Sequence, residues 1–513
     1  MAYQEVMSLT ALPEMQSKKI SLGDTDILLI KKGDRVFALE STCPHSGAPL
    51  EKGALCEGKI ICPWHKSVFT LEQGALCEPP ALRDLKRYPV KVEQGKIWVD
   101  PKPRPGAEPL DKVTTQETLV VLGVGAGGSA AVKALREKGY RGRLMVIERE
   151  KQAPYDRTTL SKFVPQGDMD MDEVPSLLDD DFYQQQKIER INGNVEELNA
   201  DKHQLRLDDG QVITYGKLLL ATGGIPQRPD LPGKALFGIQ VLRSWEQAAE
   251  LVDTVEKEKR LVIVGNSFIG MEVAAAFRKQ GVDVTVIAEH PLPFEKQFGQ
   301  ELASFFRRRH EHKGVKFVAG LPAEFTGERR VDAVVLKDGT RIEADLVLLA
   351  TGVAPATGFI HGLPLNKDGS LSVDASMSAG KDVYAIGDIA TFPLNGKPTR
   401  IEHWRVAQQH GRVAASRMAG QDDIYDSVPF FWTQQYGVRY EYLGHAEKWD
   451  TIDITGSPDK DDFVALYALN DELVAVVGTG RMRTTGTLLI KMGEKLTLRQ
   501  AKRIVAEVVE PDS

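Results

Sequence analysis

Cysteine is scarce in this chain: there are four in 513 residues and none after Cys77. Everything beyond Cys77 therefore lacks the paired thiols that disulfide exchange requires. Long apolar runs are missing too. No segment reaches the length needed to span a bilayer. The opening MAYQEVMSLTALPEMQSKK has no basic stretch followed by an apolar one, so no secretory signal is expected. No charge of one sign dominates. A net charge of −7 with both signs interspersed excludes the basic footprint of a nucleic-acid binder. So few cysteines suit a reducing compartment, and the cytoplasm is the expected location. With 42% hydrophobic and 27% charged residues the composition is that of a globular protein. Its 513 residues exceed one core, so three or four domains are expected.

Two of the four cysteines stand in a pattern. Cys43 and His45 form Cys-x-His, and sixteen residues later Cys62 and His65 form Cys-x-x-His. Two thiolates and two imidazoles in paired loops suit a Rieske [2Fe–2S] centre, in which two His replace two Cys on one iron. The same four ligands could hold a structural zinc. Zinc sites usually group the two Cys and then the two His. Here they alternate, and Pro44 and Pro63 follow the cysteines directly, which favours the iron–sulfur cluster. The blocks TCPHSGAPLEKG and CPWHKSVFTLEQG resemble the cluster loops of Rieske ferredoxins. High-potential respiratory members carry a disulfide between the loops, where this chain has Ala48 and Trp64, and a Tyr where it has Phe69. Ser67 retains one hydroxyl near the sulfurs. The resemblance thus implies the low end of the Rieske range, roughly −150 mV. Lys66 stands where the family commonly has Gly. Cys56 and Cys77 fall outside the ligand pattern and are expected to be small buried hydrophobes.

The chain then divides. Short apolar runs separated by turns indicate an antiparallel β domain over residues 1–103, and a Pro-rich stretch begins a stiff linker at 104–117. Next comes a repeat: residues 119–150 and 261–290 each read strand, glycine turn, helix, strand. The first copy has Gly123, Gly125 and Gly128 in Gly-x-Gly-x-x-Gly, with Glu148 twenty residues on at the end of the second strand. The glycines admit a pyrophosphate at the helix N-terminus, and the acid can bond a ribose diol. The second copy keeps Gly265 and Gly270 but has Ser267 between them, and Ala288 followed by Glu289 at the acidic position. No nearby Arg awaits a 2′-phosphate, so NADH is expected over NADPH.

Two dinucleotide sites imply a flavin and a nicotinamide. KLLLATGG, with Thr222 and Gly223, and DLVLLATGV, with Gly352, resemble the strand-to-loop crossings of two-dinucleotide flavoproteins. VYAIGDIA resembles their second flavin motif, which implies that Asp388 bonds the ribityl chain. PYDRTTLSK resembles the flavin-contacting segment of oxygenase-coupled ferredoxin reductases, placing Arg157 and Lys162 near the flavin, although Thr158 replaces the usual Pro. With FIGMEVAA, GVAPATGFI, HWRVAQQHGRVAA and VPFFWTQQYG, the resemblance covers nearly the whole chain and is to Rieske-fused, apoptosis-inducing-factor-like flavoproteins of the ferredoxin reductase family.

That resemblance implies a multidomain fold. An N-terminal all-β Rieske domain would precede two Rossmann-type α/β dinucleotide-binding domains of glutathione-reductase-like type and a C-terminal α+β domain. FAD would occupy 118–243 plus 356–427, NAD(P)H 244–355, and the C-terminal domain 428–513. Lys162, Glu272 and Trp404 match residues beside the flavin and nicotinamide.

His310 and His312 lie two apart among charges and are expected on a solvated helix face, so no mononuclear iron site is expected. NADH gives two electrons together and a Rieske centre takes one, so FAD must stand between them. The expected activity is NADH-dependent reduction of FAD, then of the fused cluster, then of an acceptor such as an oxygenase or cytochrome, by a monomer or homodimer. Two alternatives stand beside it: a slow-turnover NADH sensor, and an NADH oxidase whose N-terminal module is zinc-stabilised.

Overall fold

The computed structural model describes residues 3–104, 117–255 and 259–511. Most of the expected 104–117 linker lies outside the described residues. The first hundred residues form antiparallel sheets only. One joins Gln4–Ser8, Lys96–Val99 and Val90–Glu93, a second Ser17–Leu22, Thr25–Lys32 and Arg35–Glu40, and a third runs from Ala54–Cys56 to Leu76–Glu78. The two Cys/His loops are built alike. Cys43 N–H donates to Ala48 O and Cys62 N–H to Ser67 O, both at 2.8 Å. The fifth residue of each turn is left-handed: Gly47 at φ 74° and Lys66 at φ 59°. Lys66 thus takes a backbone shape that favours glycine, the residue the resemblance leads one to expect there.

The first repeat opens a six-stranded sheet in the order Ile188–Asn192, Leu144–Glu148, Leu119–Leu122, Lys217–Leu220, Val383–Ala385, Ser378–Gly380. All but the last are parallel. Their β-branched and leucine runs are buried on both faces, as a helix-covered sheet requires. The second repeat builds a separate parallel sheet of Ile239–Gln240, Leu346–Leu349, Arg260–Val264, Asp283–Ala288 and Lys316–Ala319. The chain returns to the first sheet only afterwards, at Ser378–Gly380 and Val383–Ala385. A Cβ on Gly123 would lie 2.5 Å from Ala221 O, and one on Gly128 1.9 Å from Gly123 O. Any side chain there would push the helix Ala126–Glu137 off the strand. The tail forms a five-stranded antiparallel sheet, with Phe430–Gln435 at one edge, and two helices, Met482–Lys491 and Leu498–Glu507. This is the expected fold class. Among the described residues no helix is long and apolar enough to cross a membrane.

One expectation is overturned. His310 is not on a solvated face but fully buried. In the helix Glu295–His312 it completes an i, i+4 stripe of Phe298, Leu302 and Phe306, all buried. The three arginines before it hide that stripe from a reading of local charge. His312, two residues on, is exposed.

Candidate functional site

The two glycine turns open on one cavity of about 910 Å³. Gly123, Gly125, Glu148, Arg157, Lys162, Thr222, Gly223 and Asp388 line it, as do Ser267, Glu272, Gly352 and Trp404. Gly128, Gly265 and Gly270 lie behind the turns. Glu289, just past the strand Asp283–Ala288, is exposed and does not line this cavity. Ser267 caps its helix, accepting from Gly270 N–H at 3.4 Å and donating to Ala350 O at 3.1 Å.

Several charged groups of the wall are paired. Arg190 holds Glu148 at 2.7 Å, and Arg243 holds Asp388 at 2.6 Å. Burial raises the Glu148 carboxyl above its usual range, opposed by Arg190. Arg157 donates to Arg243 O at 2.9 Å and to Glu150 at 3.1 Å. Thr222 donates to Ala356 O at 2.8 Å. Glu272 is 3% exposed. One of its oxygens accepts from Ser161 at 2.5 Å and meets Lys162 Nζ at 3.0 Å; the other accepts from Thr433 at 2.7 Å. Lys162 is thus an internal lysine, not a solvated one. Three buried atoms of wall residues, Gln152 Oε1, Trp404 Nε1 and His403 Nδ1, have no hydrogen-bond partner among the described residues. A flavin ring system carrying acceptors would suit such a wall.

The four Cys/His side chains come together. His45 Nδ1 and His65 Nδ1 are 3.1 Å apart, a separation that lets both bind one iron. Cys43 and Cys62 are each 1% exposed. Their mutual hydrogen bond, then burial, drive the Cys43 thiol up. Burial opposes ionisation of Cys62, but hydrogen bonds from Cys43 and from the His65 and Trp64 backbone outweigh it, bringing that thiol to about 6. Burial, then His45, holds His65 well below its ordinary value, so its ring is neutral. Among the described residues no three His, Cys, Asp or Glu side chains converge on one point. A binuclear cluster with two protein ligands per iron needs no such trio, so the residues fit the cluster. The Ser67 hydroxyl favours ionisation of the Cys43 thiol and accepts from Ala81 N–H at 2.9 Å.

The cluster loops face the cavity across residues that the sequence motifs did not single out. The His65 ring lies 4.3 Å from that of Trp432, which also lines the cavity. His45 Nε2 is 3.5 Å from Asp156, the neighbour of Arg157. Their signal was present in the quoted segments VPFFWTQQYG and PYDRTTLSK, but only the fold brings them to the β domain. Buried polar contacts fix this approach. Lys66 Nζ, 0% exposed, meets Glu441 at 2.8 Å, and Thr485 donates to the other Glu441 oxygen at 2.6 Å. Arg405 donates to Pro79 O at 2.6 Å and to Lys66 O at 3.3 Å. Gln409 and Ser427 each donate to Glu78 at 2.6 Å.

Comparison with known proteins agrees with this geometry. Residues 2–89 match the Rieske [2Fe-2S] domain, 117–411 the pyridine nucleotide-disulphide oxidoreductases, and 430–510 the reductase C-terminal domain. The chain is 31% identical over 482 residues to apoptosis-inducing factor 3 of Homo sapiens, covering 90% of this chain and 79% of that protein. It is 32% identical to the biphenyl dioxygenase system ferredoxin–NAD(+) reductase component of Paraburkholderia xenovorans, covering 73% of this chain and 93% of that one. Among solved structures, the ferredoxin reductase for the CYP199A2 system from Rhodopseudomonas palustris superposes with a TM-score of 0.70 at 30% identity, over 75% of this chain and 97% of that one. The covalent putidaredoxin reductase–putidaredoxin complex superposes with a TM-score of 0.72 at 26% identity, over 77% and 99%. The Rieske match removes the zinc alternative. The chain belongs to the pyridine nucleotide-disulphide oxidoreductases, without their paired thiols and with a Rieske domain fused ahead of the reductase.

Proposed function

We propose that this chain is an NADH-dependent oxidoreductase that feeds a fused Rieske centre from a flavin in the shared cavity. Bound FAD supplies the conversion from hydride to single electrons, and the protein supplies position and charge. The observation that carries the reading is the contact of the His65 ring with that of Trp432, 4.3 Å between centroids and tilted by 42°, which joins the cluster loops to the cavity wall. Gly123, Gly125, Glu148, Thr222, Gly223 and Asp388 hold the flavin. Ser267, Gly270 and Gly352 shape the nicotinamide side. Lys162 and Glu272 form a buried ion pair where the two ligands meet, and Trp404 bounds the cavity. Cys43, His45, Cys62 and His65 hold the cluster.

The acceptor in this reading is a one-electron protein, an oxygenase component or a cytochrome. The biphenyl relative, named for a dioxygenase system, supports it. All residues of the path lie in one chain, so a monomer suffices. A cytoplasmic location belongs to the reading, supported by four cysteines without a disulfide.

The test is anaerobic mixing of the holoprotein with NADH, recording visible and EPR spectra together. Flavin bleaching with a rhombic Rieske signal is expected. No iron signal even after dithionite would overturn the cluster, and an unreduced flavin would overturn the NADH site. Cys62→Ser should leave flavin reduction intact and abolish cluster-dependent reduction of an added cytochrome; unchanged cytochrome reduction would mean that the flavin bypasses the cluster.

A further inference from the structure

His310 has no part in the path above, yet it is fully buried and makes two hydrogen bonds. Its Nε2 is 2.9 Å from Gln435 Oε1, and its Nδ1 is 2.8 Å from the Tyr436 hydroxyl. Gln435 Nε2 lies 3.4 Å from Thr433 Oγ1, and Thr433 donates to Glu272 at 2.7 Å. Thr433 and Gln435 are 1% exposed. They are two apart on the strand Phe430–Gln435, so they share a face. A continuous row of buried polar groups therefore runs from the cavity to Tyr436.

We infer that His310 and Gln435 are positioning residues for Glu272, forming a one-way hydrogen-bond relay that keeps the Thr433 hydroxyl donating to its carboxylate. The direction follows from the donor inventory. An ionised carboxylate only accepts. Thr433 has one hydroxyl proton and must give it to Glu272. It then accepts from the Gln435 amide nitrogen, which turns Gln435 Oε1 towards His310. His310 must carry its proton on Nε2, leaving Nδ1 to accept from Tyr436. Burial brings His310 down to about 4, so the ring is neutral and has a tautomer to choose. Lys162 and Ser161 occupy the other Glu272 oxygen. Both carboxylate oxygens are thus held, and the acid cannot rotate away from the place where the nicotinamide is proposed to bind. The inference rests on that hydride-transfer reading.

Two measurements on the full-length holoprotein test it. In Glu272→Gln the amide oxygen stays with the donors Lys162 and Ser161, so its NH2 group faces Thr433. Every bond of the relay must then reverse, and His310 should switch from the Nε2–H to the Nδ1–H tautomer. Nitrogen-15 histidine NMR reads this directly, with the His310 signal assigned by its loss in His310→Gln. The same tautomer in wild type and Glu272→Gln overturns the relay. The second measurement is stopped-flow. Gln435→Met keeps the length but has no amide to donate to Thr433; it should slow flavin reduction by NADH about tenfold and leave electron flow from reduced flavin to cluster unchanged. His310→Gln, which keeps a donor for Gln435, should retain most of the rate, and His310→Leu should not. Equal loss in both steps, or no loss in Gln435→Met, rejects the positioning role. A wild-type flavin that NADH does not reduce would instead reject the reductase reading, while the tautomer comparison would still decide the relay.

Discussion

Lys66 and Glu441 are 375 positions apart in the chain and meet at 2.8 Å, with side chains 0% and 3% exposed. Burial lowers the Lys66 ammonium from its ordinary value, and Glu441 opposes the shift. Removing Lys66 leaves the buried Glu441 carboxylate with only Arg439, 3.5 Å away, as a charged partner. Lys66→Met should therefore cost about 3–5 kcal/mol of interface stability. The expected result is a lower thermal midpoint for the Rieske domain and slower cluster reduction by NADH, with flavin reduction unchanged. The double variant Lys66→Met/Glu441→Met should recover most of the loss. If Lys66→Met alone matches wild type in both measurements, the pair does not hold the domains together.

Trp432 is the aromatic contact between cluster loop and cavity. Trp432→Leu should reduce the rate of flavin-to-cluster transfer by more than that of flavin reduction, as read by single-turnover absorbance. Equal rates for wild type and variant would place the route elsewhere.

The Ser67 hydroxyl favours ionisation of the Cys43 thiol, as a donor to that sulfur would. Hydrogen bonds to cluster sulfurs raise the potential. Ser67→Ala should therefore lower the cluster midpoint potential in an EPR-monitored titration, and a rise would contradict the assigned bond.

Three buried histidines make the fold acid-sensitive. Burial lowers His310 to about 4, and His403 and His410 to about 3. Unfolded histidine takes its proton near pH 6.5. Between that pH and the folded values the unfolded chain binds more protons. The stability these groups contribute is thus complete above about pH 6.5 and drains away below it, by roughly 1.4 kcal/mol per pH unit for each histidine. Urea midpoints of the holoprotein should fall steeply from about pH 6.5 towards pH 4. A flat profile would mean that these rings are protonated in the folded state.

What could be read from the sequence was local. Gly123 and Gly128 mark a turn whose geometry is decided within a few residues, and Cys43, His45, Cys62 and His65 sit in two short loops. The strand runs and the repeat announce both parallel sheets for the same reason. Contacts between distant segments were not legible. Lys66 stood out as an odd residue in a glycine place, but its partner lies 375 positions away. His310 was misread because Arg307, Arg308 and Arg309 dominate its neighbourhood, although the stripe Phe298, Leu302, Phe306 was there to be counted. Trp432 and Thr433 are adjacent in the sequence but serve opposite sides of one strand, one towards His65 and the other towards Glu272.

The anchoring of the Rieske domain by Lys66, Arg405 and Glu78 has a consequence for capacity. A diffusing one-electron carrier departs with its load, and an empty carrier replaces it. An anchored domain cannot be exchanged, so there is a single seat. NADH supplies electrons in pairs, and the second of each pair waits until an acceptor has cleared the seat. Two separate visits by the acceptor are therefore needed for every NADH consumed, and without an acceptor the molecule fills and stops. Consumption of NADH is then set by demand downstream rather than by supply.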